Sequence, residues 1–160
     1  MRLGIKYDAL IERIGVAFNL IPTPLGFPMF GPPVARALQI AQRTGMLREL
    51  AAGPATATEL AERLELRPQG VKLVLDTLCA ADQLRLRRGE RYEMPASARK
   101  WLDPESPSYI GGFLADSWHY WDWWRELEPL VREGRSIELH DKPPDDPYWR
   151  STGARSRTGR

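Results

Sequence analysis

The chain has 160 residues, 28% of them charged and 42% hydrophobic, with a net charge of +2. This is the balance of an ordinary globular domain with extensions, and it excludes a strong pull of the total charge toward nucleic acid or anionic membranes. The single cysteine, Cys79, excludes an intrachain disulfide and fits a reducing compartment.

At the N-terminus, Arg2, Lys6 and Arg13 precede the mostly apolar run from Ile14 to Ile21. Asp8 and Glu12 interrupt the basic residues and no small-x-small cleavage site follows, so a secretory leader is not expected and the chain is assigned to the cytoplasm. No apolar run approaches the length of a membrane span. Leu3, Tyr7, Leu10, Ile11, Ile14 and Phe18 recur at helical spacing and predict a helix from about residue 3 to 20 with one apolar stripe. Pro22, Pro24, Pro28, Pro32 and Pro33, with Gly26 and Gly31 between them, predict an extended connector, because proline removes donors and fixes φ. Leu25, Phe27, Met29 and Phe30 make that connector apolar, so it is expected to lie on a surface, its own or a partner's.

A second helix is predicted over about Val34 to Leu50, with Val34, Ala37, Leu38, Ile40, Ala41, Leu47 and Leu50 as its apolar positions and Gly45 as a local cap or point of close packing. Thr56 and Glu59 then have capping-box spacing, and Leu60, Ala61 and Leu64 face inward. Pro68 suits a first helical position, and Val71, Val74, Leu75 and Leu78 form the stripe of a buried helix. Cys79 lies on this helix and reads as a packed thiol and not as a nucleophile. Leu84 and Leu86 alternate with Arg85 and Arg87, Arg88-Gly89-Glu90 supplies a turn, and Tyr92 and Met94 return. Helix, turn, helix and two-stranded wing in that order predict a mainly α winged helix.

Ala96 to Leu102 predicts one or two helical turns. From Ser108 to about Glu133 the pattern is helical again, with Pro129 expected to kink or restart it. Tyr109, Phe113, Trp118, Tyr120, Trp121, Trp123 and Trp124 do not fit on one face of such a helix, which predicts burial from more than one side, by a dimer mate, a further domain or a ligand. Gly111-Gly112 would let another backbone approach. The expected organisation is an N-terminal helix and Pro-rich dimerisation arm over 1–33, a winged-helix domain over 34–103, an aromatic helix over 104–134, and a linker and disordered tail over 135–160.

Chemical motifs are sparse. There is no G-x-G-x-x-G, no G-x-x-x-x-G-K-[ST] and no G-x-S-x-G. His119 and His140 have no second histidine or cysteine at metal-ligand spacing, and Asp145-Asp146 reads as a solvated turn. No residue is assigned as catalytic, cofactor-binding or metal-ligating. A winged helix admits DNA binding. The wing arginines Arg85, Arg87, Arg88 and Arg91 suit phosphates, but the outward positions of the second helix, near Gln69, Lys72, Asp76 and Ala80, offer little for bidentate base contacts. A DNA-binding transcriptional regulator is therefore the alternative reading.

From Val34 onward the sequence resembles the N-terminal dimerisation domain of S-adenosylmethionine-dependent small-molecule O-methyltransferases. The resemblance is carried by Ala41 to Gly45 (A-x-x-x-G), Gly53 to Thr56 (G-P-A-T), Glu59 to Ala61 (E-L-A), a leucine-rich third helix, Arg91-Tyr92 in the wing, and Trp124, Leu127, Val131 and Gly134. It implies a homodimer and a supporting wall for the substrate pocket, with the glycine-rich cofactor loop and the base in a Rossmann-like domain that follows in the chain. The sequence stops where that domain is expected to begin, so the resemblance implies the accessory domain, with S-adenosylmethionine bound elsewhere. It also implies a small aromatic or polyketide-like substrate, and nucleic acid and membrane are not the expected partners. Phe113, Ser117, Trp118, Tyr120 and Trp121 become candidates for pocket lining, with an interdomain core as the plain alternative. Leu3, Tyr7, Leu10, Ile11, Ile14, Phe18, Phe27, Met29 and Phe30 become candidates for the dimer interface.

Overall fold

The computed structural model of the chain describes residues 10–18 and 23–134. Leu3, Tyr7, His140, Asp145-Asp146 and the expected linker and tail lie outside the described residues. The chain is mainly α. Helix α1 spans Leu10–Ala17, α2 Thr23–Arg43, α3 Met46–Ala52, α4 Ala57–Leu64 and α5 Pro68–Ala80. Strands β1, Arg85–Arg87, and β2, Arg91–Glu93, follow as an antiparallel hairpin, with Leu86 opposite Tyr92. Helix α6 spans Ala96–Leu102, α7 Gly111–Asp116, α8 Tyr120–Arg125 and α9 Leu127–Glu133, with a 3-10 turn over Ser117–His119 between α7 and α8.

The winged helix forms for the reasons its sequence suggests. Thr56 Oγ1 accepts from the Glu59 amide at 3.2 Å and Glu59 Oε2 accepts from the Thr56 amide at 2.9 Å, so both orphan donors of the α4 start are satisfied. Pro68 opens α5, where its missing N–H has no helical acceptor to lose. The apolar stripes of α4 and α5 meet, and α2 lies across α5. Leu47, Leu50, Leu60, Leu75 and Leu78 close the core together with Leu84, Tyr92, Met94 and Leu102. Ala55 adds a bridge to the wing: its amide donates to the Tyr92 carbonyl at 3.1 Å and its carbonyl accepts from the Tyr92 amide at 2.8 Å.

The proline-rich stretch departs from expectation. It is not an extended connector; Thr23 onward is helical, with Pro28, Pro32 and Pro33 inside α2. The fixed φ of proline, about −65°, is itself helical, and what proline takes away is a donor. Pro24 falls in the first turn, where donors are orphaned in any case. Pro28 and Pro32 follow at intervals of one turn and Pro33 directly after, so only a few donors are lost and the other amides of α2 keep the ladder. The expected single helix over Val34 to Leu50 is likewise two, because Gly45, with φ of +86°, turns the chain and caps α3.

Leu84 is buried, whereas Leu86, which alternates with the same arginines, is 54% exposed on the wing. Gly111 is buried not by a second backbone but by the ring of Tyr109, which occupies the space where a Cβ would stand.

Candidate functional site

The aromatic segment is a broken rod. The 3-10 turn separates α7 from α8, and α8 ends at Arg125, the residue whose carbonyl Pro129 would otherwise crowd. Pro129 sits in the first turn of α9, where no donor is needed. Each break re-aims the next rings, which is how so many aromatic side chains find different surroundings.

The segment is fastened to α2 by polar side chains. Arg36, Gln39 and Arg43 recur at helical spacing along α2 and face it. Gln39, 6% exposed, donates through Nε2 to Ser117 Oγ at 2.7 Å and accepts through Oε1 from Trp121 Nε1 at 2.6 Å. The Ser117 hydroxyl in turn donates to the Leu114 carbonyl at 2.8 Å. One turn on, Gln42 Nε2 donates to Tyr109 Oη at 2.7 Å. The Arg36 guanidinium carbon lies 3.0 Å from the centre of the Trp118 ring, and that of Arg43 lies 4.5 Å from the same ring. Arg36 Nη1 is buried without a hydrogen-bond partner. Burial first, then the neighbouring charge of Arg43, holds Arg36 below the usual guanidinium range.

The pocket candidates therefore divide. Ser117 and Trp121 are joined through Gln39, and Trp118 is joined to Arg36. Tyr120 stacks on Trp123 with centroids 4.9 Å apart and meets Phe113 edge-on at 6.3 Å. Phe113 is 60% exposed, and Trp124, edge-on to Trp121 at 4.9 Å, is also exposed. An apolar cleft of about 270 Å³ between Leu38, Trp101, Leu102, Ile110 and Leu114 touches none of the five candidates. Reading the sequence for apolar stripes missed Gln39, Arg36 and Arg43. The available signal was a polar row at helical spacing on a helix whose other face is apolar.

Of the dimer candidates, Leu10, Ile11 and Ile14 on α1 and Phe18 just beyond it are exposed, Ile11 by 78%. Phe27, Met29 and Phe30 lie in α2, where Met29 and Phe30 are exposed. On the wing, Arg87 pairs with Glu93 at 2.6 Å, while Arg91 binds Glu59 at 2.9 Å and the Pro54 carbonyl at 2.7 Å. On α5, Lys72 donates to Asp76 at 2.6 Å, and Asp76 also accepts from Tyr92 Oη at 2.6 Å. Leu73 stands exposed beside Lys72. Cys79 is half-buried and its thiol is pushed above the ordinary range, first by burial. His119 is exposed.

No protein-family model matches the chain. Over 79 residues it is 38% identical to a 3-hydroxy-5-methyl-1-naphthoate 3-O-methyltransferase of Streptomyces sahachiroi, covering 49% of this chain and 23% of that protein. Over 103 residues it is 33% identical to the N,N-dimethyltransferase OxyT of Streptomyces rimosus, covering 64% of this chain and 30% of the relative. The chain is a partial relative of small-molecule methyltransferases. Its structure matches that of human N-acetylserotonin methyltransferase in complex with SAM with a TM-score of 0.64 at 22% identity, over 90% of this chain and 41% of that one. At that identity the likeness is one of fold. The chain thus spans less than half the length of each of these methyltransferases.

The described residues do not fit the cofactor of that class. The two named strands form an antiparallel hairpin, and neither leads through a glycine-rich turn into a helix. Among the described residues no group of three His, Cys, Asp or Glu could hold a metal ion, and no helix is long and apolar enough to cross a membrane.

Proposed function

We propose that the chain is the dimerisation and pocket-supporting part of an S-adenosylmethionine-dependent methyltransferase acting on small aromatic or polyketide-like molecules. The cofactor binds a separate Rossmann-like unit, and the chain itself works in the cytoplasm as a homodimer. The observation that carries this reading is the set of large apolar side chains left open along α1, just beyond it, and at Met29 and Phe30 of α2. Ile11, Phe18, Met29 and Phe30 are all more than half exposed, and large apolar side chains gathered in one part of the sequence are what a mate would cover. The aromatic segment, pinned to α2 on one side and open at Phe113 and Trp124 on the other, is suited to border a substrate site completed by the companion unit.

Sedimentation across a concentration series tests the mate. The expected result is a dimer that Ile11→Asp together with Phe30→Asp converts to a folded monomer. A wild-type chain that stays monomeric into the high micromolar range overturns the reading. The regulator alternative is not favoured, since Lys72, Arg87 and Arg91 are held by partners within the fold and α5 exposes Leu73 where a base-reading group would be needed.

A further inference from the structure

We infer that the Arg36–Arg43–Trp118 cluster is a carboxylate site, and that the aromatic molecule bordered by this segment carries an acid group which docks there. This deepens the proposed function and rests on its reading of the aromatic segment as a substrate wall.

The first observation is a local excess of cations. Arg36 and Arg43 approach one indole at 3.0 Å and 4.5 Å. The charges that act on Arg36 are Arg43 and Arg125, both repelling, and Asp122, attracting. Asp122 is already engaged by Arg125 at 3.3 Å. Neither Arg36 nor Arg43 forms an ion pair with any described carboxylate, and the Asp122 charge that Arg36 feels is already paired with Arg125. Other arginines, Arg87, Arg91, Arg99 and Arg132 among them, do have an acidic partner.

The second observation is the buried Nη1 of Arg36, which has no acceptor. A buried donor left without a partner is destabilising by itself, and the indole face compensates only in part. Two cations over one half-buried indole match an acid whose oxygens accept from the guanidinium groups while its ring packs beside the neighbouring aromatic side chains. A phosphate would add charge but no ring, and an uncharged aromatic would leave both guanidinium groups unanswered. The same carboxylate chemistry could be offered by a side chain of another polypeptide, and the test separates that source.

Isothermal titration calorimetry of the full chain with 2-naphthoate and with its uncharged counterpart 2-naphthamide reads the inference directly, with indole N–H resonances locating the site. The expected result is binding of naphthoate, weakening of about tenfold or more for naphthamide, a similar loss in Arg36→Gln, and partial retention in Arg36→Lys. The Trp118 resonance, assigned by Trp118→Phe, should shift on naphthoate addition. Equal binding of acid and amide would overturn the carboxylate site while leaving the aromatic wall intact. No response to naphthoate, with weaker self-association of Arg36→Gln, would assign the cluster to a protein carboxylate and overturn the small-molecule site. No response and no change in self-association would overturn the inference altogether, and sedimentation of the wild type still judges the dimer reading separately. Unchanged circular dichroism of Arg36→Lys guards against loss of fold.

Discussion

Trp121 donates its indole N–H to Gln39 Oε1 at 2.6 Å across 82 residues of sequence. The same carboxamide donates to Ser117, so one buried side chain sets both the position and the rotation of the segment after the 3-10 turn. Rings alone pack in many orientations; two hydrogen bonds from a planar amide allow one.

Gln39→Leu keeps the volume and removes both bonds. Ser117 still donates to Leu114, and half-buried Trp121 can turn to water, so the loss should fall at the low end of roughly 1–3 kcal/mol for unsatisfied groups. Urea unfolding followed by tryptophan emission should show a lower midpoint and a red-shifted native spectrum. An unchanged native spectrum would mean that ring packing alone docks the segment.

Tyr92 is buried and donates to Asp76, and burial, followed by that bond, pushes its phenol above the ordinary range. The sign follows directly. The fold favours the neutral phenol, so this contribution is complete below the unfolded value of about 10 and is lost as pH rises from there toward the higher folded value. Stability should therefore fall above about pH 10, and Tyr92→Phe should flatten that part of the profile. At neutral pH the same variant should lose about 1 kcal/mol through the missing bond. Chemical denaturation at stepped pH measures both.

Asp76 behaves in the opposite sense. Its bond from Lys72 first, and that from Tyr92 second, hold its carboxyl below the ordinary aspartate value of 3.8. The contribution is present above that value and disappears as pH falls through the lower folded one. An acid titration of Asp76→Asn should lack this component, and an acid limb identical to wild type would show the pair to be without effect.

Thr56→Ala removes the side-chain half of the capping box at α4. A loss of about 1 kcal/mol is expected, visible as a lower thermal midpoint. Thr56→Ser should restore most of it, since only the hydroxyl oxygen is needed.

Two glycines make a matched pair. Gly45 has φ of +86°, and a Cβ there would meet Leu64 Cδ2 at 3.3 Å. Gly45→Ala should lose roughly 1–2 kcal/mol through the left-handed backbone alone. Gly53 has extended backbone, φ 165°, with nothing within 4 Å of an added Cβ. Gly53→Ala should be neutral or gain up to about 1 kcal/mol by restricting the unfolded chain. Equal losses in the two variants would contradict the backbone explanation.

Much of the winged helix was legible in the chain itself. The Thr56–Glu59 cap, Pro68 at the start of its helix, the Val71 to Leu78 stripe and the buried Leu84, Tyr92 and Met94 all follow from local spacing, because periodicity states which side chains turn inward. The proline-rich stretch eludes local pattern because a residue that breaks helices by losing donors also holds a helical φ, and only the completed α2 shows that the remaining donors suffice. The polar row on α2 was out of reach for another reason. Whether Gln39 and Arg36 face water or a distant indole depends on how α7 and α8 fold back across α2, and that is decided by packing between elements some 80 residues apart. Local pattern thus determined the helices, the cap and the wing; the tertiary structure decided which polar side chains met the aromatic rings, since only the assembled fold brings those distant surfaces within hydrogen-bond range.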